Sequence, residues 1–181
     1  MELIQEPIEG LKLIQPNVFG DQRGYFFESY SKTAFGKLGI HTEFVQDNES
    51  LSAKIGVLRG LHFQAPPKAQ AKLVRVIQGA VMDVVVDIRK NSKDYGKSFA
   101  VELSAENKKI LFIPEGFAHG FATLEENSIF SYKCSDFYAP ETEGTISWDD
   151  PNLAIHWGVE SPILSEKDKN GVLFSDFKSP F

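Results

Sequence analysis

Residues 72–88 read KLVRVIQGAVMDVVVDI, and this stretch decides the fold class. It holds two apolar runs on either side of Gln78-Gly79. In the second run two sets of residues alternate: Met82, Val84, Val86 and Ile88 against Val81, Asp83, Val85 and Asp87. Alternation with a period of two indicates a β-strand, and a Gly-containing pair between two such runs is typical of a tight turn. We therefore predict a β-hairpin over residues 72–88.

The sequence on both sides of this stretch also favours short strands. Strand patterns cover residues 99–103, 110–113, 117–124 and 129–134; the second stops at Pro114, and the last two flank the turn Glu125-Glu126-Asn127. Helical signals are brief: Ser31, Ser104 and Ser165 are candidate N-caps of turns that end near Gly39, Lys108 and Gly171. Many short strands around one core indicate an all-β, two-sheet architecture such as a jelly roll with a few short helices.

Length and composition are those of one globular domain over residues 1–181. The chain has 42% hydrophobic and 24% charged residues and a net charge of −6, which argues against general affinity for nucleic acid. Its longest apolar runs are too short for a membrane span. Cys134 is the only cysteine, and no signal-peptide pattern follows Met1, so we expect a cytoplasmic protein.

Several ionisable residues stand in apolar surroundings. Arg59 and His62 lie in a strand-like run, where alternation predicts that they point to opposite faces. Lys72, His119 and Tyr132 have similar settings. A histidine among apolar residues is more often a satisfied core residue than a catalyst, so these patterns alone leave both interpretations open.

Metal and cofactor motifs are missing from the sequence. The four histidines, at positions 41, 62, 119 and 156, show no metal-ligand spacing. No phosphate-binding loop, dinucleotide fingerprint or nucleophile elbow is present. We therefore predict no metal and no cofactor, which leaves acid–base chemistry or plain binding.

Six motifs, taken together and in order, closely resemble the dTDP-4-dehydrorhamnose 3,5-epimerase family. They are Asp21-x-Arg-Gly-x-Phe-x-Glu28, Gly56-Val-Leu-Arg-Gly-Leu-His-x-Gln64, Lys72-Leu-Val-Arg-Val76, Ile113-Pro-x-Gly-Phe-Ala-His-Gly-Phe121, Tyr132-Lys133 and Trp148-x-Asp-Pro151. The resemblance spans nearly the whole chain. It implies a cupin-type β jelly roll, a homodimer without metal, and isomerisation of dTDP-4-dehydro-6-deoxy-D-glucose to dTDP-4-dehydro-L-rhamnose.

The resemblance also implies roles for individual residues. His62 would be the base, Asp168 its orienting partner, and Tyr132 the acid on the opposite face of the sugar, with Lys72 near the carbon 4 oxygen. Nucleotide and sugar contacts would fall on Arg23, Glu28, Gln46, Asp47, Asn48, Arg59, His119, Glu143 and Lys167. An aromatic ring, Phe26 or Tyr138, would stack on the thymine.

Three alternatives stay open at this point. The first is a mono-epimerase that inverts only carbon 3 or carbon 5 of the same kind of dTDP-4-ketosugar. The second is a non-catalytic sugar-nucleotide binding module on the same fold, because fold does not determine function. The third, a metal-dependent cupin, is the least favoured, because the histidines are scattered. The resemblance further suggests that an N-terminal segment containing Arg23 crosses to a partner subunit.

Overall fold

The structure, a computed structural model, describes residues 1–181 and consists mainly of β-strands. The strands are β1 (Glu2–Ile8), β2 (Leu11–Gln15), β3 (Phe19–Asp21), β4 (Gly24–Phe26), β5 (Gln46–Ser52), β6 (Leu58–Gln64), β7 (Lys72–Gln78), β8 (Ala80–Asp87), β9 (Ser98–Ser104), β10 (Ile110–Ile113), β11 (Phe117–Thr123), β12 (Ser128–Cys134) and β13 (Glu143–Thr145). Two short α-helices, α1 (Lys32–Gly36) and α2 (Glu166–Lys169), and a 3₁₀ turn at Pro140–Thr142 complete the fold.

The strands form two large antiparallel sheets and one small ribbon. The six-stranded sheet has the order β1-β2-β10-β7-β12-β5, and the five-stranded sheet has the order β13-β6-β11-β8-β9. Strands β3 and β4 pair only with each other. The predicted all-β jelly-roll class is confirmed, because two antiparallel sheets enclose a shared core.

The predicted hairpin over residues 72–88 is wrong, although both of its strands exist. Strand β7 pairs with β10 and β12 in one sheet, whereas β8 pairs with β9 and β11 in the other. The chain therefore crosses from one sheet to the other at Gly79, whose φ of 75° lies in the left-handed region that favours glycine. Strands β11 and β12 make a second crossing of this kind.

The predicted alternation within β8 is confirmed. Val81 and Val85 belong to the cluster that fills the space between the sheets, together with residues such as Phe121 and Phe130. Val84 and Val86 point the other way, into a second cluster that contains Trp157. The segment after β13 thus covers the outer face of the five-stranded sheet, which explains why β8 is apolar on both faces.

Two of the three predicted helical turns form. Ser31 caps α1 and Ser165 caps α2, each through its side-chain oxygen. The turn predicted after Ser104 is not a helix, because Asn107 Oδ1 accepts the Ser104 N–H and Lys108 adopts a φ of 56°. The longest α-helix has five residues, and none has the length and apolarity needed to cross a bilayer.

Candidate active site

A cavity of about 320 Å³ opens between the two sheets and gathers most of the ionisable residues discussed above. Its lining is polar and charged around two phenylalanines: Ser50, Arg59, His62, Lys72, His119, Gly120, Phe121, Phe130, Tyr132, Glu143, Ser165, Lys167 and Asp168. A second depression adjoins it and shares His62, Lys72, Tyr132 and Glu143 with it. The second depression adds Gln46, Asn48 and Tyr138, so the site is a long groove.

A β-bulge in β6 places Arg59 and His62 on the same side, contrary to the predicted alternation. His62 pairs with His119, and Arg59 pairs with Phe121, so three steps along β6 match two steps along β11. Leu58 and Leu61 consequently share the outer cluster, while Arg59 and His62 both line the cavity. Gly60 permits the bulge: its φ is 146°, and a Cβ there would meet Gly120 Cα at 2.5 Å.

His62 and Asp168 form a close pair. His62 Nε2 lies 2.8 Å from Asp168 Oδ1, and the carboxylate is 3% exposed whereas the imidazole is 23% exposed. Asp168 Oδ1 lies off the direction of the ring N–H, so the contact is an ion-pair approach rather than an aligned hydrogen bond. With Nε2 turned to Asp168, Nδ1 is the ring nitrogen left for the cavity.

Helix α2 and its cap hold the Asp168 carboxylate in place. Asp168 Oδ1 accepts the Gly60 N–H at 3.0 Å, while Oδ2 accepts the Ser165 hydroxyl at 2.5 Å and the Ser165 N–H at 3.2 Å. Burial by itself raises the pKa of Asp168, but the close approach of His62 and the hydrogen bonds from Ser165 and Gly60 outweigh it and hold the pKa well below its usual range. The carboxylate is therefore ionised at neutral pH.

Tyr132 lies on the wall opposite His62. It belongs to β12 of the six-stranded sheet, whereas His62 belongs to β6 of the five-stranded sheet. Burial raises the pKa of the Tyr132 phenol, and the neighbouring thiol of Cys134 adds to the increase. The phenol therefore keeps its proton at neutral pH and can donate it.

Lys72, on β7, lines the cavity without an ion pair or a hydrogen bond from its ammonium group. Burial lowers the pKa of Lys72, while the negative potential of Cys134 and Glu143 opposes the change. An ammonium group with no partner of its own has all three N–H donors available for a ligand oxygen.

His119 makes a second histidine–carboxylate pair in the same cavity. Its Nε2 lies 3.1 and 2.9 Å from the two oxygens of Asp83, whose side chain is fully buried. The ring also packs against Phe130, with 6.1 Å between centroids. His119 is thus held in one orientation beside Arg59 and His62.

Glu143 joins the two parts of the groove. One of its oxygens pairs with Lys167 of α2, and the other accepts the Tyr138 hydroxyl at 3.1 Å. Gln46 Oε1 accepts the Tyr138 N–H and Gln46 Nε2 donates to Asn48 Oδ1, so the first strand residues of β5 support the same end of the groove. The Tyr138 ring itself is 57% exposed.

Four of the predicted binding residues lie away from this groove in the same chain. Asp47 points to the outer face of β5, where its carboxylate pairs with Lys133. Arg23 pairs with Asp21 on the exposed β3–β4 ribbon, which also carries Phe26. Glu28 follows that ribbon and is exposed.

Three residues that line or support the cavity were not predicted as site residues. Ser50 lies on the half-buried face of β5 with Gln46 and Asn48, and a period-two reading from Asn48 would have found it. Asp83 was recognisable as a carboxylate within an apolar strand. Ser165 was recognised only as a helix cap. No group of three or more His, Cys, Asp or Glu side chains is arranged to hold a metal ion.

Comparisons with known proteins agree with this geometry. A profile of the family described as dTDP-4-dehydrorhamnose 3,5-epimerase matches residues 5–176. A dTDP-4-dehydrorhamnose 3,5-epimerase from Shigella flexneri is 51% identical over 97% of each chain.

Solved structures of such enzymes superpose closely on this one. The enzyme from Bacillus anthracis, with TDP and PPi bound, has a TM-score of 0.94 and 47% identity, covering 96% of this chain and 99% of that one. The dTDP-6-deoxy-D-glucose-3,5-epimerase from Legionella pneumophila, in complex with dTDP-4-keto-L-rhamnose, has a TM-score of 0.93 and 46% identity, covering 98% and 94%. The chain belongs to the dTDP-4-dehydrorhamnose 3,5-epimerase family.

Proposed function

We propose that this enzyme converts dTDP-4-dehydro-6-deoxy-D-glucose to dTDP-4-dehydro-L-rhamnose by two cofactor-free epimerisations. The observation that carries the proposal is the placement of a base and an acid on opposite walls of one cavity. His62, backed by the ionised Asp168, stands on one sheet, and the protonated Tyr132 stands on the other. Inversion at carbon requires removal of a proton from one face and its return to the other.

The chemistry follows from the ketone at carbon 4 of the substrate. His62 takes the proton from carbon 3 or carbon 5, and the bonding electrons move to the ketone oxygen to form an enolate. Tyr132 then delivers a proton to the opposite face of that carbon, and solvent exchanges restore both side chains. The carboxylate of Asp168 stabilises the imidazolium that forms on His62.

Lys72 is the donor that we assign to the enolate oxygen. Its ammonium group lines the cavity between the two reactive walls and has no protein partner. A positioned donor to an oxyanion is typically worth about 3–4 kcal/mol of barrier. Burial lowers the pKa of Lys72, and the low dielectric of buried surroundings also makes a positive charge there act more strongly on an oxyanion than it would in water.

The remainder of the groove suits a nucleoside diphosphate. Arg59, His119 and Lys167 supply positive or hydrogen-bonding groups beside the sugar site. The exposed Tyr138 ring, fixed through Glu143 and Gln46, offers a stacking surface for thymine. Asn48 and Glu143 fit contacts to the sugar and the ribose. Asp47, from its place on the outer face of β5, takes part only through its backbone or after rearrangement.

We further propose a homodimer in which the β3–β4 ribbon of each protomer completes the partner's groove. The ribbon exposes Phe19 at 65%, Tyr25 at 60% and Phe26 at 67%. Three large exposed aromatic rings on a two-stranded ribbon are unusual for a monomer, and aromatic anchors are common in interfaces. In this arrangement Arg23, Phe26 and Glu28 act on the partner's ligand. The free, buried thiol of Cys134 is compatible with a reducing compartment, so we propose the cytoplasm.

Proton NMR in deuterated water tests the reaction. We expect deuterium at both carbon 3 and carbon 5 of dTDP-4-dehydro-6-deoxy-D-glucose, with an L-configured product after trapping by a reductase. Exchange at only one carbon would instead identify a mono-epimerase. Binding of the substrate without any exchange would identify a sugar-nucleotide binding protein and would overturn the assignment of His62 and Tyr132.

A further inference from the structure

The segment that carries Asp168, residues 163–172, is joined to the five-stranded sheet by backbone hydrogen bonds at both ends. At its start, Leu58 N–H donates to Ile163 O at 3.0 Å, and Ile163 N–H donates to Gly56 O at 2.7 Å. At its end, Val172 N–H donates to Thr145 O at 2.9 Å, and Ser147 N–H donates to Val172 O at 2.9 Å. Helix α2 lies between these backbone hydrogen bonds, which fix its position beside the cavity. The orientation of the Asp168 side chain is set by its hydrogen bonds with the cap residue Ser165.

The Ser165 hydroxyl is committed to Asp168. Asp168 N–H donates to Ser165 Oγ at 3.3 Å, and the hydroxyl donates its single proton to Asp168 Oδ2 at 2.5 Å. The Ser165 N–H adds a second bond to the same oxygen, which makes a reciprocal capping box. Oδ2 is thereby held from the side opposite the histidine.

The other oxygen of Asp168 faces His62. Oδ1 accepts only the Gly60 N–H, and it lies 2.8 Å from His62 Nε2. A carboxylate rotates about its terminal bond unless both oxygens are held, because that torsion is broad. The Ser165 hydroxyl makes the shortest of the three hydrogen bonds to this carboxylate, so it contributes most to the direction in which Oδ1 meets the imidazole.

We infer that Ser165 is a positioning residue for catalysis: its hydroxyl fixes the Asp168 carboxylate and, through it, the orientation of the His62 base. This inference rests on the proposed function, and it adds a residue that does not touch the reacting atoms. Ordinary helix caps contribute to stability alone, whereas this one also bears on the turnover step. The role requires a hydroxyl at position 165 and requires Asp168 to transmit the effect.

The test measures kcat, KM and the binding of dTDP for Ser165→Ala, Ser165→Thr and Ser31→Ala. In Ser165→Ala we expect kcat to fall roughly tenfold, as a small misplacement of a reacting group does, while the Kd for dTDP changes less than about twofold. Ser165→Thr keeps a hydroxyl and a good N-cap residue, so it should restore most of kcat. Ser31→Ala removes the cap of α1, which is not part of the cavity, and should leave kcat at the wild-type value.

A double-variant comparison separates this inference from the proposed function. If Ser165 acts through Asp168, Ser165→Ala costs nothing further in an Asp168→Ala background. An equal tenfold loss in both backgrounds would overturn the inference while leaving the base assignment intact. A fall of kcat in Ser31→Ala as large as that in Ser165→Ala would also overturn it. Wild-type activity in both His62→Ala and Asp168→Ala would instead overturn the proposed function.

Discussion

At the scale of single residues, the Asp168 carboxylate is the most constrained charged group of the site. It is buried, yet hydrogen bonds from the backbone and Ser165 and the approach of His62 keep it ionised. Such an arrangement makes the charge available to an imidazolium at no cost of rearrangement during the reaction. It also makes the stability of the protein depend on the ionisation of this one group.

The lowered pKa of Asp168 predicts a loss of stability in acid. The folded-state pKa lies below the unfolded value of about 3.9, so the stabilisation is complete above that value and is lost as pH falls towards the folded pKa. In Asp168→Asn, the free energy of unfolding should therefore fall less steeply between about pH 5 and pH 3. Urea unfolding at several pH values measures the slope. Glu125→Gln, in an exposed turn, is the control that should keep the wild-type slope.

At the scale of elements, the bulge in β6 decides which side chains enter the cavity. The sequence pattern predicts the strand correctly but not the extra residue, because Leu58, Leu61 and Gly60 fit a regular alternation as well as a bulged one. The bulge depends on the close approach of the Gly60 and Gly120 backbones, and this contact is visible only in the three-dimensional structure. The same limit applies to β7 and β8. The sequence of the turn between two strands is similar whether the strands pair with each other or belong to different sheets.

Replacement of Gly60 by alanine tests the bulge. The added Cβ would meet Gly120 Cα at 2.5 Å, and the φ of 146° disfavours any side chain. We expect the free energy of unfolding to fall by about 2–4 kcal/mol, from overpacking together with backbone strain. Gly36→Ala is the matched control, because its Cβ would make only ordinary contacts with His41 at 3.7 Å. A change in Gly60→Ala no larger than in the control would contradict this explanation.

At the scale of the whole molecule, one chain does not bring all the predicted residues together. The resemblance in the sequence assigned Arg23, Phe26 and Glu28 to the site, but they lie on or beside an exposed ribbon outside the cavity of their own chain. The predicted residues from β5 to α2, apart from Asp47, converge in contrast on one groove, because the two sheets face each other. Sequence motifs identify residue types that act together, but they do not tell which subunit supplies them.

Complementation between two inactive variants tests the exchange of ribbons. Arg23→Ala and His62→Ala chains are co-expressed with different tags, and the mixed dimer is purified through both. If the ribbon completes the partner's site, the mixed dimer has one intact site of two and should show about half of the wild-type activity. If Arg23 serves its own chain, no site is intact, and the mixed dimer should be no more active than the Arg23→Ala homodimer.

The central claim is that His62 and Tyr132 act on opposite faces of the sugar ring, and its most direct test is solvent exchange in the two variants. In deuterated water, Tyr132→Phe should still exchange the substrate protons at carbons 3 and 5, because the base is intact, while formation of the L-configured product falls. His62→Ala should lose both exchange and product. Equal loss of exchange and product in Tyr132→Phe, or near-normal turnover in His62→Ala, would contradict the assignment of base and acid to the two walls.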